Sequence, residues 1–230
     1  MSQLSVLFED NHIIAINKRC GDIVQGDKTG DRTLGDDVKE YIREQYNKPG
    51  NVYLGVTHRL DRPTSGAVLF ARTSKALTRL NELFKEDRAI HKTYWAVVDK
   101  KPEQLTAQLD HWLVRDQKQN KSFAYPNERK ESKRASLTYR YIGSSDKFHL
   151  IEIELHTGRH HQIRAQLAAI GLHIKGDLKY GFPRSNSDGG IHLHARKIEF
   201  THPVTGEPVT IIAPTPNDPV WNYFSRAVER

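Results

Sequence analysis

The sequence predicts an α+β protein built on a mixed, largely antiparallel sheet with flanking helices. Three observations predict it. Strand-like segments follow one another along the chain, and most are short. Only a few helical stretches interrupt them, so the regular alternation of a doubly wound parallel sheet is missing. Period-two patterns, such as Ile151, Ile153 and Leu155, mark strands with one buried face.

Leu4–Phe8 and Ile13–Asn17 read as the opening strands. A helix is expected over Leu34–Tyr46, where Thr33 and Asp36 have the spacing of a capping box. Tyr53–Thr57 and Ala67–Ala71 read as strands around a polar segment at 58–66. Ser74 is the expected cap of a second helix, whose Leu77, Leu80, Leu83 and Phe84 form an apolar stripe of ordinary core type. Strands are then expected at Thr93–Val98, Leu109–Val114, Ala135–Ile142 and His149–Leu155. A third helix covers His161–Ile170, with Gly171 placed as its C′ residue. Short strands at Ile191–Ala195, Ile198–Phe200 and Val209–Ala213 precede a last helix over Pro219–Val228.

The chain has 230 residues, 37% hydrophobic and 27% charged, which suits a globular protein able to bury a core. It shows no low-complexity tract, solenoid-period repeat or linker, so one domain over residues 1–230 is expected. No apolar run approaches the ~20 residues of a membrane helix. Met1–Asp10 lacks the basic start and apolar stretch of a signal peptide. The single cysteine, Cys20, excludes an internal disulfide framework and a zinc site of the thiolate kind. A reduced, cytoplasmic setting is therefore expected, with a monomer as the default.

Net charge is +7, and its distribution matters more than its size. Lys118, Lys121, Arg129, Lys130, Lys133 and Arg134 crowd into residues 115–134 among Gln, Asn, Ser and Pro. That stretch reads as an exposed basic loop feeding a strand. Either it is a solvated surface, or it is an arm that grips phosphates by neutralising their charge.

Two segments carry chemistry. Segment 58–66, between two apolar strands, holds one acid, Asp61, between Arg59 and Arg62, with Pro63 and Gly66 as backbone punctuation. A carboxylate beside cations stays ionised and suits a nucleophile or base; taken alone, the pattern also fits a surface turn. In segment 155–164 a strand ends, Gly158 breaks the chain, and a basic helix start follows that suits anions. Arg159 and Arg164, five residues apart, would point about 140° apart on a helix and serve different partners.

His156, His160, His161, His173, His192, His194 and His202 raise the question of a metal, but no His-Glu-x-x-His spacing occurs. The Gly-x-Ser-x-Gly elbow, the P-loop and the Gly-x-Gly-x-x-Gly fingerprint are also missing. No metal and no cofactor are expected.

Along nearly its whole length the sequence resembles the RluA-type RNA pseudouridine synthases. His58-Arg59-Leu60-Asp61-Arg62-Pro63-Thr64-Ser65-Gly66 is similar to that family's signature, with Asp61 at the catalytic aspartate. Glu9 to Lys18 is similar to its opening strand pair, and Lys92 to Val98 to the segment supplying an active-site tyrosine, here Tyr94. Thr157 to Arg164 with Gly176 to Gly181, and then His192 to Ala195 with His202 to Gly206, resemble the later blocks. The sequence departs at Arg19-Cys20-Gly21, where Pro-Ala-Gly is usual, at His160 for Thr or Ser, and at Gln166 for His. These departures bear on local RNA contacts rather than on Asp61, Tyr94 or Arg164.

The resemblance implies that specific uridines in tRNA or ribosomal RNA are isomerised without a cofactor, with Asp61 as the essential carboxylate. It implies Arg164 as the cation that holds Asp61 ionised, with Arg159 as second choice, and Tyr94 as the residue stacking on the uracil. Arg59 would fill the space left by the flipped base. Arg62, Arg159, His161, Lys130, Lys133 and Arg134 complete the expected RNA contacts. No RNA-binding module of the S4 type is expected, and no obligatory protein partner. The rival readings are a non-catalytic RNA-binding protein that retains the fold and a phosphate-handling hydrolase that uses the histidines.

Overall fold

The computed structural model describes residues 4–26, 30–85 and 89–228. Along the chain run β1 (Val6–Glu9), β2 (Ile13–Lys18), α1 (Leu34–Gln45), β3 (Gly55–Val56), β4 (Ser65–Ala71) and α2 (Ser74–Lys85). Next come β5 (Ile90–Val98), β6 (Thr106–Asp116), β7 (Lys121–Tyr125), β8 (Lys133–Ser144), β9 (His149–Leu155) and α3 (Gln162–Ala169). A 3-10 helix at Leu178–Tyr180, β10 (Leu193–Thr201), β11 (Pro208–Ile212) and α4 (Pro219–Val228) follow. The architecture is α+β, a mixed and largely antiparallel sheet with four helices, as the sequence predicts. The chain divides into two compact units, Met1–Ile90 with Ala195–Pro214, and His91–His194 with Thr215–Arg230.

In the first unit β1, β2, β4, β10 and β11 are neighbours in that order, and β3 pairs with the end of β4. The β2–β4 register runs from Ile13 opposite Ala71 to Lys18 opposite Gly66. The apolar run of β4 is buried at all seven positions. Its Leu69 packs with Ile13, Ala76, Leu80, Ile198, Phe200 and Ile211. Burial of each large side chain here stabilises by roughly 1.5–3 kcal/mol. Helix α1 has the expected capping box: Thr33 Oγ1 accepts from the Asp36 amide, and the Asp36 carboxylate accepts from the Thr33 amide. Helix α2 is capped one residue earlier than expected. Thr73 Oγ1 accepts from the Ala76 amide at 3.1 Å, and Ser74 is already helical.

In the second unit the order is β5, β9, β8, β6, β7, each adjacent pair antiparallel. Trp95, Val97 and Leu150 meet Trp221 and Phe224 of α4 in one core. Three expectations need correction here. Residues 115–134 are not one loop: β6 continues to Asp116, the chain turns, and β7 pairs back from Lys121 opposite Asp116 to Tyr125 opposite Trp112. The two short strands expected around Arg196 and Lys197 are a single strand, β10, because Lys197 pairs with Ile212. Helix α3 starts at Gln162, after His161 in the left-handed region at φ 52°, so Arg159 lies outside it and the 140° separation does not apply. Gly171, at φ 77°, ends α3 as expected, its amide donating to Ala168 O.

Candidate active site

Asp61 sits in the turn that leads into β4. The segment before it is pinned to that strand: Thr57 Oγ1 donates to Leu69 O, and His58 Nε2 accepts from the Leu69 amide at 3.0 Å. The His58 ring packs on Phe84 with centroids 5.0 Å apart. Leu60 is buried, while Asp61 is half-buried and Arg59 and Arg62 are exposed, so the chain presents its charges outward while anchored by its apolar residue. The Thr64 amide donates to Asp61 O at 3.0 Å and closes a tight turn over Arg62 and Pro63. Arg62 pairs with Asp31 at 3.3 Å on the surface.

Lys18 holds this turn from below. It is 1% exposed, and its ammonium donates to the carbonyls of Thr64 at 2.7 Å, Arg62 at 3.1 Å and Arg19 at 2.8 Å. Burial pushes its pKa down to about 8, partly offset by the nearby acidic groups of Asp22, Cys20 and Asp61. The Gly21 amide adds a bond to Arg62 O at 2.8 Å. At the other end of the turn Gly66 has φ 116°, and a Cβ there would lie 2.4 Å from Ala195 O. Only glycine allows β4 to approach β10 so closely.

The other predicted residues belong to the second unit. Tyr94, 7% exposed, lies on β5 opposite Ile153 of β9. Arg164 of α3 is 5% exposed and makes a bidentate ion pair with Asp177, Nε to Oδ2 at 2.7 Å and Nη2 to Oδ1 at 2.8 Å. Its guanidinium carbon stands 4.9 Å from the centre of the Tyr180 ring.

The turn before α3 is held by its own polar side chains. Gln162 Oε1 accepts from Thr157 Oγ1 and from the Arg159 amide, while its Nε2 donates to Ser136 O. Arg159 is exposed, and its Nε donates to Arg134 O at 3.1 Å, which brings two expected RNA contacts together. Lys130 and Lys133 are exposed, and Arg134 is 3.4 Å from Asp110. His161 is different. Burial, followed by the charges of Arg164, His160, Lys179 and Arg115, drives its pKa down to about 2. It is therefore a neutral hydrogen-bonding ring, not a cation.

Sequence reasoning assigned no role to Lys18, Asp177 or Tyr180. One signal was available for Lys18. It falls in step with Ile14 and Ile16 on the period-two face that β2 buries. Asp177 and Tyr180 sit in the block from Gly176 to Gly181, which resembles the family's as a whole but carries no periodic mark that singles out either residue.

Comparison with known proteins shows the family to which the chain belongs. A family model described as RNA pseudouridylate synthase matches residues 12–169. The tRNA pseudouridine synthase C of Salmonella typhimurium is 33% identical over 91% of this chain and 85% of its own length. The ribosomal large subunit pseudouridine synthase D of Zymomonas mobilis is 32% identical over 94% and 70% respectively. The solved structure of human RNA Pseudouridylate Synthase Domain Containing 4 shares the fold at a TM-score of 0.78 and 23% identity, covering 98% of this chain and 93% of that one. The family model and the two relatives point to one class of enzyme, the isomerases that make pseudouridine in RNA, and the solved structure adds the fold. The chain belongs to the RluA-type RNA pseudouridine synthase family. None of its described helices is long and apolar enough to cross a membrane.

Proposed function

We propose that the enzyme converts specific uridines of tRNA or ribosomal RNA to pseudouridine, with Asp61 as the essential carboxylate. The observation that carries this reading is the Asp61 turn itself, closed by Thr64 and fixed from beneath by the three Lys18 hydrogen bonds. A carboxylate on a rigid, partly open turn is preorganised for attack without reorganisation. Relatives named for tRNA and for the large ribosomal subunit support both RNA classes as substrates. A cytoplasmic reaction, the setting expected from the single cysteine, is compatible with such RNA.

The reaction breaks the N1–C1′ bond, turns the uracil, and forms C5–C1′, after which the C5 proton leaves to water. The base is both leaving group and returning nucleophile, so the chain must hold it and supply a base. Asp61 acts at the sugar, by proton abstraction or by covalent attack. Arg164 is the cation that keeps Asp61 ionised, the role that the resemblance to the family implies for it. Tyr94 stacks on the uracil. Extruding the uridine costs roughly a few kcal/mol, and Arg59 occupies the space left in the stack. The β6–β7 hairpin and the turn into β8, with Lys130, Lys133 and Arg134, grip the phosphates.

The test is tritium release from tRNA and ribosomal RNA labelled at uracil C5, with wild-type protein and Asp61→Asn side by side. Release by wild type alone supports Asp61 as the essential carboxylate, and the responding pool gives the substrate class. Equal release by both proteins removes Asp61 from that role.

A further inference from the structure

The side chain of Tyr180 joins two parts of the second unit with different duties in the proposed reaction, Arg164 and the β6–β7 hairpin. Its ring lies beside the Arg164 guanidinium, 4.9 Å from the guanidinium carbon, and Asp177 grips the same guanidinium through two hydrogen bonds. Its hydroxyl accepts from the Ser122 amide at 2.8 Å. It also stands 3.2 Å from Ser122 O and 3.0 Å from His161 Nδ1. The phenol has one proton, so it donates to one of these two acceptors at a time. Neutral His161 takes the complementary role.

Ser122 is the second residue of β7, the last strand in the order of this unit. Outer backbone groups of such a strand need partners, and for Ser122 the Tyr180 hydroxyl supplies them. The surrounding contacts hold the same hairpin in place. Ser122 Oγ donates to His160 O at 2.7 Å and lies 2.9 Å from His160 Nδ1, and His160 Nε2 lies 3.1 Å from Asn120 Oδ1. Lys179 donates to the carbonyls of Gln119 and Asn120, and Lys121 Nζ stands 5.0 Å from the Tyr180 ring centre. The hairpin is thus docked on the 3-10 helix at its turn and at the start of β7.

We propose that Tyr180 is a positioning residue for Arg164, coupling the guanidinium to the backbone of the β6–β7 hairpin through its hydroxyl. Displacing the hairpin moves the ring against which Arg164 rests, so Arg164 is correctly oriented only when the hairpin is docked. The proposal rests on the reading that Arg164 serves the Asp61 carboxylate.

The test is a cycle of Tyr180→Phe, Arg164→Lys and the double variant, read as the single-turnover rate at saturating RNA. Hydrogen exchange of the Ser122 amide is followed in parallel. Tyr180→Phe keeps the ring but removes the hydroxyl. We expect it to lower the saturating rate about tenfold and to speed Ser122 exchange. Added to Arg164→Lys, it produces no further loss, because both act on one group. Additive losses, or an unchanged saturating rate in Tyr180→Phe with faster exchange, overturn the coupling and leave Tyr180 a structural residue. A wild-type rate in Arg164→Lys instead overturns the reading of Arg164 and the coupling with it, a distinguishable result. Should Tyr180→Phe fail to fold, Ser122→Pro, which removes the outward amide that donates to the Tyr180 hydroxyl, replaces it in the cycle with the same expected rates.

Discussion

Arg164 and Asp177 face each other in a bidentate ion pair whose side chains are only 5% and 1% exposed. Charges so far from water have lost most of their hydration, and each depends on the other for compensation. Removing the acid alone leaves a buried cation short of its main partner. Asp177→Ala is expected to destabilise the protein by about 3–5 kcal/mol. Asp177→Asn keeps one acceptor oxygen in place and loses less, about 1–3 kcal/mol. Urea unfolding of both variants measures the difference. Equal, near-zero losses would show that the pair contributes little to stability, leaving orientation of Arg164 as its remaining role.

Gly66 and Gly21 separate two reasons for needing glycine. Both have positive φ, 116° and 90°, but a Cβ on Gly66 meets the Ala195 backbone whereas one on Gly21 meets nothing within 4 Å. Gly21→Ala should therefore lose only the conformational term, about 1–2 kcal/mol. Gly66→Ala adds a clash with backbone that cannot rotate away, and a loss of more than about 3 kcal/mol is expected. Thermal unfolding of the two variants compares them directly. Equal midpoints would mean that β4 and β10 can separate at little cost.

The same local rules explain what could be read from sequence. Strand β9 and helix α4 have the residues predicted, His149–Leu155 and Pro219–Val228, because their apolar periodicity is unbroken. The cap at Thr33 and the Gly171 terminus were legible because caps are written in one or two residues. Strand β7 was not legible. Lys121 and Ser122 follow a polar run, and the segment becomes a strand by pairing with β6 and bonding to Tyr180, partners from elsewhere in the chain. The Asp61 motif was visible as a pattern, but its support comes from Lys18, which stands 46 residues before the Thr64 carbonyl it bonds.

Lys18 should leave a pH signature. Its pKa falls from 10.5 to about 8 on folding because it is buried. Between those values the unfolded chain binds the proton and the folded chain does not, so stability rises with pH across this window. The cost of carrying the buried charge is present in full below pH 8 and is relieved as pH approaches 10.5, by roughly 3 kcal/mol. Lys18→Met lacks this term. The stability of wild type relative to Lys18→Met, from urea unfolding near pH 7.5 and near pH 10, should therefore shift towards wild type at the higher pH. A pH-independent difference would mean that the three carbonyls keep the ammonium charged throughout.

Salt dependence tests the basic hairpin region. Each phosphate neutralised by a Lys or Arg releases counterion, so removing one such cation lowers the slope of log K against log salt by about 0.7–0.9. Lys130 and Lys133 are exposed, and no ion pair involving either is seen among the described residues, whereas Arg134 is 3.4 Å from Asp110. Changing Lys130 and Lys133 to Gln should thus lower the slope by up to about 1.8 and weaken binding to all RNAs alike. Arg134→Gln should have a smaller effect, since the free protein already neutralises part of its charge. Filter binding between roughly 50 and 300 mM salt provides the measurement. An unchanged slope in the double lysine variant would make this a solvated surface, and the RNA grip would then have to come from other cations such as Arg59 and Arg159.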